Sequence, residues 1–190
     1  MPLIKLNATQ GLTGTLPAVS GANLTGISAG ITVADQWRLN TSFTGGADPI
    51  ASNLERVDGT GQGYIGSAMT QSSGIFTFPS TGIWLVKFNF SVNTGGGGVG
   101  PDIDGLCTSQ IQATTNNSSY TTVARASAGL HDSGSTVCEN ASEISSLIDV
   151  TDTSNVKVKF KADSINSTTT VTADTDHNRT FFTFIRLGDT

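Results

Sequence analysis

The residues that could carry out catalysis are few in this chain. It contains two histidines, His131 and His177, and His177 follows Asp174 and Asp176, so a carboxylate could orient its ring. The spacing matches neither a nucleophile elbow nor a Ser–His–Asp order. We therefore interpret His177 as a solvated turn residue, and we predict that the protein is not an enzyme.

Two pairs of aspartates could begin a metal site. Asp102 and Asp104 precede Gly105 in the manner of a calcium loop, but no Glu follows at the required position. Asp174 and Asp176 have the same weakness. We interpret both pairs as turns with exposed carboxylates, and we predict neither a metal nor a cofactor.

Two cysteines and a run of glycines add little chemistry. Cys107 and Cys138 lack the spacing of a zinc site; two thiols are favoured, and a single disulfide bridge is the alternative. The glycines at 95–98 are followed by neither a lysine nor a helix, so we predict a mobile loop and no phosphate site. The sequence therefore favours binding or assembly over catalysis.

The composition excludes several other classes of protein. Of the 190 residues, 83 are Ser, Thr, Asn or Gly and only 13% are charged, which disfavours a helical bundle. The net charge is −5 and no basic stripe suits a nucleic acid. No apolar run approaches the roughly 18 residues of a membrane span, and the N-terminus lacks the apolar core of a secretory signal. We expect neither nucleic acid nor membrane as a partner.

Residues 1–30 differ from the rest of the chain. Leu-Thr-Gly occurs twice, with Gly and Pro between the copies, which breaks a helix and gives too few apolar residues for a core. We predict an extended docking arm, and a flexible tail is the alternative. Its candidate docking residues are Leu12, Leu16, Leu24 and Ile27. Residues 31–190 are predicted to form the head domain.

The head is predicted to consist of short strands. In Ile83–Val92 apolar residues recur at every second position, a period of two that a helix cannot segregate. About ten such strands and no long helix predict an all-β, two-sheet sandwich. The other strands are predicted at 33–43, 50–57, 74–78, 106–115, 119–128, 143–150, 156–161, 168–173 and 180–187.

Two local patterns refine this prediction. Lys157, Lys159 and Lys161 alternate with apolar residues, so they are predicted to form the solvated face of a strand. Residues 116–118 have the composition of a hairpin connection between the strands on either side.

Two of the predicted strands are apolar on both faces. Phe182 and Phe184 point to one face of the last strand, and apolar residues also occupy the other face. A monomeric sandwich leaves one face of each strand in water, where side chains should be polar. We therefore predict subunit contacts, with a covering loop as the alternative. The candidate interface residues are Ile83, Leu85, Phe181, Ile185 and Leu187.

Two segments of the head resemble a known family. The stretch SSGIFTFPSTGIWLVKF at 72–88 and the ending RTFFTFIRLG at 179–188 resemble the globular heads of complement's first component and tumour-necrosis-factor-like (TNF-like) jelly rolls. Trp84 stands where the family has Tyr, and an internal glycine of the closing strand is missing. The resemblance implies a ten-strand jelly roll that forms a homotrimer with its terminal strand near the three-fold axis.

The first part of the chain resembles a second group. TLPAVSGANLTGI at 15–27, with NLERVD at 53–58 and FPSTG at 78–82, is similar to tailed-phage virion proteins, those of cyanophages especially. The resemblance implies a virion structural protein, assembled in the host cytoplasm, whose arm binds other capsid or tail proteins. It would be a capsid decoration, head fibre or short tail appendage.

A host-recognition adhesin is the alternative function. Loops rich in Asn, Ser, Thr and Gly, at 44–49, 93–105, 116–119 and 129–142, could bind a host polysaccharide.

Overall fold

The computed structural model describes residues 30–94, 106–130 and 137–190. Several predictions lie outside these residues: the arm with Leu12, Leu16, Leu24 and Ile27, the glycine run, Asp102, Asp104 and His131.

Within the described ranges the chain forms twelve strands and no helix, so none of these residues belongs to a helix that could cross a membrane. The strands are β1 (Ala34–Leu39), β2 (Phe43–Thr44), β3 (Leu54–Arg56), β4 (Thr70–Ser72), β5 (Ile75–Thr77), β6 (Gly82–Asn93), β7 (Cys107–Thr114), β8 (Thr121–Ala128), β9 (Glu139–Val150), β10 (Lys157–Asp163), β11 (Thr170–Val171) and β12 (Phe181–Gly188).

The strands form two antiparallel sheets. Sheet A has seven strands in the order β2-β11-β6-β12-β1-β3, with β9 paired to the other edge of β6. Sheet B has five strands in the order β4-β5-β10-β7-β8. This is the predicted all-β, two-sheet sandwich.

The core lies between the sheets and is rich in phenylalanine. The rings of Phe160 in sheet B and Phe182 in sheet A stack with their centroids 4.1 Å apart. The Phe88 ring lies 5.1 Å from Phe182 and 5.2 Å from Phe160, so the three rings form a compact triangle. These rings join the two sheets, because each is buried completely or almost completely and comes from a central strand.

The predicted strands differ from the observed ones mainly at the ends of sheet A. The segment 33–43 splits into β1 and β2, and only three residues of 50–57 form a strand. Asn53, just before β3, has a backbone φ of 60°, and its carbonyl accepts the Asn40 N–H just after β1 ends. Strand β4 has no counterpart in the prediction, and 168–173 shortens to β11.

The predicted hairpin between β7 and β8 is confirmed. Asn117 has a positive φ of 53°, and the Asn116 side-chain oxygen accepts the N–H groups of Ser118 and Ser119 at 3.0 and 2.9 Å. Such side-chain-to-backbone bonds are what Asn contributes to tight turns.

Candidate subunit interface

Strands β6 and β12 carry apolar side chains on both faces of sheet A. Trp84, Val86, Phe182 and Phe184 are completely buried in the core. Ile83, Leu85, Phe181 and Ile185 alternate with them and are half-buried, on the outer face. Leu187, at a bulge near the end of β12, is 52% exposed. The structure therefore places the candidate interface residues on or at the end of the outer face of one sheet.

The outer face contains a continuous apolar row across five chain segments. Leu85 is paired with Leu147 of β9 on one side and with Ile185 of β12 on the other. Ile185 is paired with Ala34 of β1, which is bridged to Ile65. Leu147 is 62% exposed and Ile65 is 51% exposed. We call these residues the apolar row.

The sequence prediction omits both ends of the apolar row. The exposure of Leu147 could be predicted from the sequence. Ile144, Ile148 and Val150 occupy alternate positions that point to the core, and Leu147 lies at a position between them that points outward. Ile65 could not be found in this way, since it lies in a connection that has no period.

A depression of about 270 Å³ opens at the Ile65 end of the apolar row. Its apolar lining comes from Ala34, Tyr64, Ile65 and Ile185. The polar residues Asp35, Gln36 and Thr183 also line it, with the Asp35 carboxylate itself buried.

A buried carboxylate fixes the wall of this depression. Asp35 is fully buried and accepts hydrogen bonds from Arg56 Nε at 3.1 Å, Trp37 Nε1 at 3.2 Å and the Met69 N–H at 2.9 Å. The Arg56 guanidinium also lies 5.3 Å from the Trp37 ring centroid and 5.2 Å from that of Tyr64. The loop that carries Tyr64 and Ile65 is thus anchored on β1.

A second buried charge, Arg38, holds the loop over the neighbouring part of the outer face. Arg38 is 1% exposed and bonds to Glu55 at 2.7 Å, Asp58 at 2.9 Å and Gln62 at 3.2 Å. The same loop therefore covers sheet A at Arg38 and leaves it open at the apolar row.

The outer face of sheet B is polar, and the predicted solvated face of lysines requires a correction. Lys157 is only 9% exposed, because its ammonium donates to Thr77 Oγ1 and the Thr153 carbonyl at 3.0 and 2.7 Å. Lys159 bonds to Asp48 at 2.8 Å and lies 4.8 Å from the Tyr120 ring centroid. The hydrogen bond from Lys159 lowers the pKa of Asp48, while partial burial opposes this effect.

Among the described residues, the remaining candidates for chemistry lie in the turn at 174–177. The N–H groups of Asp176 and His177 donate to Asp174 and lower the pKa of that carboxyl. His177 is exposed, as predicted for a turn histidine, with Nδ1 3.4 Å from Asp174. The described residues contain no group of three or more His, Cys, Asp or Glu that could hold a metal.

The cysteines and two of the candidate loops lie within the described residues. Cys107 and Cys138 are not joined by a disulfide, in agreement with the favoured prediction of thiols. In the loops at 44–49 and 116–119, Asp48 and Asn116 are bonded within the head itself.

Known proteins share the fold of this chain. No protein-family model matches the sequence, and no curated protein does. The structure of Eiger TNF from S. frugiperda matches with a TM-score of 0.57 and 10% identity, over 84% of this chain and 95% of that one. Crystal structures of murine APRIL at pH 5.0 and pH 8.5 give TM-scores of 0.48 and 0.47, with 12% and 13% identity, each over 82% of this chain and 98% of that one. The match to the Eiger TNF structure and the two antiparallel sheets show that the described head has a TNF-like two-sheet jelly-roll fold.

Proposed function

We propose that this chain is the homotrimeric structural subunit of a phage virion, a capsid decoration, head fibre or short tail-fibre appendage. The observation that carries the self-association is the apolar row. It crosses the middle of sheet A, where a monomeric sandwich would have polar side chains. A second copy removes this surface from water, and the trimeric state is taken from the TNF-like resemblance of segments 72–88 and 179–188.

The virion assignment is supported by the resemblance of residues 15–27 and 53–58 to tailed-phage proteins. In this proposal the arm binds a capsid or tail protein through its apolar residues, and the head projects outward. The protein acts by assembly and is not an enzyme. Its place is the virion, assembled in the host cytoplasm.

Light scattering of the purified chain tests the trimer. We expect a mass three times that of the 19.6 kDa subunit. Leu187→Asp should dissociate the assembly, because it places a charge at the interface, whereas Asn117→Asp at the β7–β8 turn should not. A stable 19.6 kDa species at micromolar concentration would contradict the trimer.

Electron microscopy of immunolabelled particles tests the virion assignment. We expect label on particles assembled with the wild-type chain and its loss with the double variant Leu12→Asp, Leu16→Asp, which leaves the head sequence intact. Particles that never carry label would refute the assignment.

A glycan array on the wild-type trimer tests the adhesin alternative. Specific binding to a host polysaccharide would favour recognition by the outer loops, and the structural role alone predicts no binding.

A further inference from the structure

The depression beside the apolar row has the size and chemistry to receive one apolar side chain. Its volume of about 270 Å³ lies below the range of about 300–1,000 Å³ typical of small-molecule sites. Gln36 Nε2 already donates to Thr183 Oγ1 at 3.0 Å, and Asp35 is occupied by Arg56, Trp37 and Met69. Since these polar groups have partners, the surface still available to a ligand is chiefly apolar.

The described chain begins beside this depression. Ala34 lines it, and the structure starts only four residues earlier, at Gly30. Gly30 lies in a bend with a φ of 87°, a left-handed conformation that glycine adopts without strain. Ile27 lies only three residues before this bend, a span of about 10 Å of extended chain, so it is within reach of the depression.

We propose that the depression is the docking site of the chain's own N-terminal segment, with Ile27 as the side chain that enters it. Ile27 is the first large apolar residue that precedes Gly30, and its neighbours Gly26, Ser28 and Ala29 are small enough for a close approach. The Ala34 N–H and carbonyl are already bonded to Ile65 at 3.1 and 2.8 Å. Docking therefore occurs through the side chain, and no strand is added to the sheet.

The anchored wall favours this contact. Tyr64 is positioned by Arg56, and a Cβ at Gly66 would collide with the Thr32 carbonyl, which shows how closely this loop follows the chain before β1. Because the site is formed in advance, binding costs little ordering of the wall. The contact fixes the side of the head from which the arm leaves, and Leu12 and Leu16 remain available to a particle.

Methyl NMR of the full-length chain with labelled isoleucines tests the proposal. We expect nuclear Overhauser cross-peaks from Ile27 to Ile65 and Ile185, together with shift changes at both in Ile27→Ala. The matched variant Leu12→Ala should leave those shifts unchanged. Absence of the cross-peaks, or identical effects of the two variants, would overturn the proposal.

A mixed sample distinguishes the chain's own segment from that of another copy. When labelled subunits are co-assembled with an equal amount of unlabelled ones, an intramolecular cross-peak keeps its intensity per labelled subunit. A fall to about half would assign the depression to a neighbouring copy and overturn the proposal. The cross-peaks can be measured whether the protein is a trimer or a monomer, so this test does not depend on the proposed assembly.

Discussion

Asp35 is a buried carboxylate that joins β1 to β3 and to the loop between β3 and β4. Its carboxylate is 0% exposed and balances the positive charge of Arg56. The Asp58 carboxylate is bonded to Arg38 but is itself 81% exposed. Removing one partner of a buried pair costs about 3–5 kcal/mol. Loss of the Asp58 charge should cost less than about 1 kcal/mol, because that carboxylate lies in water and the buried Arg38 is still paired with Glu55. We expect Asp35→Asn to lower the free energy of unfolding by about 3 kcal/mol, since Arg56 keeps some access to water.

Urea denaturation of Asp35→Asn and of the matched variant Asp58→Asn measures this difference. Asp58→Asn should change the free energy of unfolding by less than about 1 kcal/mol. Equal losses in the two variants would show that burial does not set the strength of these pairs.

Asp48 should contribute to the acid sensitivity of the head. Its folded-state pKa lies below the ordinary value of 3.8, chiefly through the Lys159 hydrogen bond. Such a group stabilises the fold above its unfolded pKa, and the stabilisation is lost as the pH falls through the folded pKa. We therefore expect Asp48→Asn to lose less stability than the wild type on acidification below pH 3.8.

The free energy of unfolding, measured across this pH range, checks the prediction. Lys159→Gln should reduce the loss of unfolding free energy at low pH to a similar extent. The double variant should reduce it little further. The effect is small, because the Asp48 side chain is 38% exposed. An unchanged acid limb in both single variants would contradict it.

At the residue scale the sequence could predict the face of a side chain but not its burial. The period of two places Lys157 correctly on the outer face of β10, yet Thr77 and Thr153 enclose it. The sequence could not predict the pair of Asp35 and Arg56, because the pairing of β1 with the three-residue strand β3 brings the two together.

At the scale of the strand, β12 places adjacent residues in two different environments. Phe182 is completely buried against Phe88 and Phe160, whereas Phe181 is half-buried on the outer face. We expect Phe182→Ala to lower the free energy of unfolding by about 3–5 kcal/mol, the usual cost of a large cavity. Phe181→Ala should instead raise the protein concentration at which subunits dissociate.

Denaturation of the dissociated subunit and sedimentation across a dilution series separate the two effects. If Phe181→Ala destabilised the isolated subunit as much as Phe182→Ala, the outer face would belong to the folding core and not to an interface.

The long strands could be predicted because their pattern is local, and the short ones could not. Strand β6 alternates between buried and half-buried residues over its whole length, as its sequence indicates. Strands β2 and β11 have two residues each and exist only because they pair with one another and β11 with β6. Such pairing depends on the fold and leaves no period in the sequence.

At the scale of the whole molecule, a three-fold ring requires two different patches on each subunit. In a closed ring with cyclic symmetry, each subunit presents one patch to the next and another to the previous one. The apolar row offers two such patches on either side of Leu85, one at Leu147 on β9 and one at Ile185 on β12. We infer that the Leu147 patch of one subunit meets the Ile185 patch of its neighbour, while the depression beyond Ile185 holds the subunit's own Ile27.

Mixing two variants tests this arrangement. Leu147→Asp and Ile185→Asp should each be monomeric alone, since each places a carboxylate on one of the two patches that meet at every interface of the ring. In a mixture, the unchanged Leu147 of one variant can still meet the unchanged Ile185 of the other. Sedimentation at high concentration should therefore show a heterodimer of twice 19.6 kDa and no closed trimer. Val123→Asp, at an exposed apolar residue of sheet B, should leave the trimer intact. A trimer of Leu147→Asp would show that Leu147 is not needed at the interface. A mixture that stays monomeric would show that the Leu147 and Ile185 patches do not bind each other, and either result would contradict the proposed pairing.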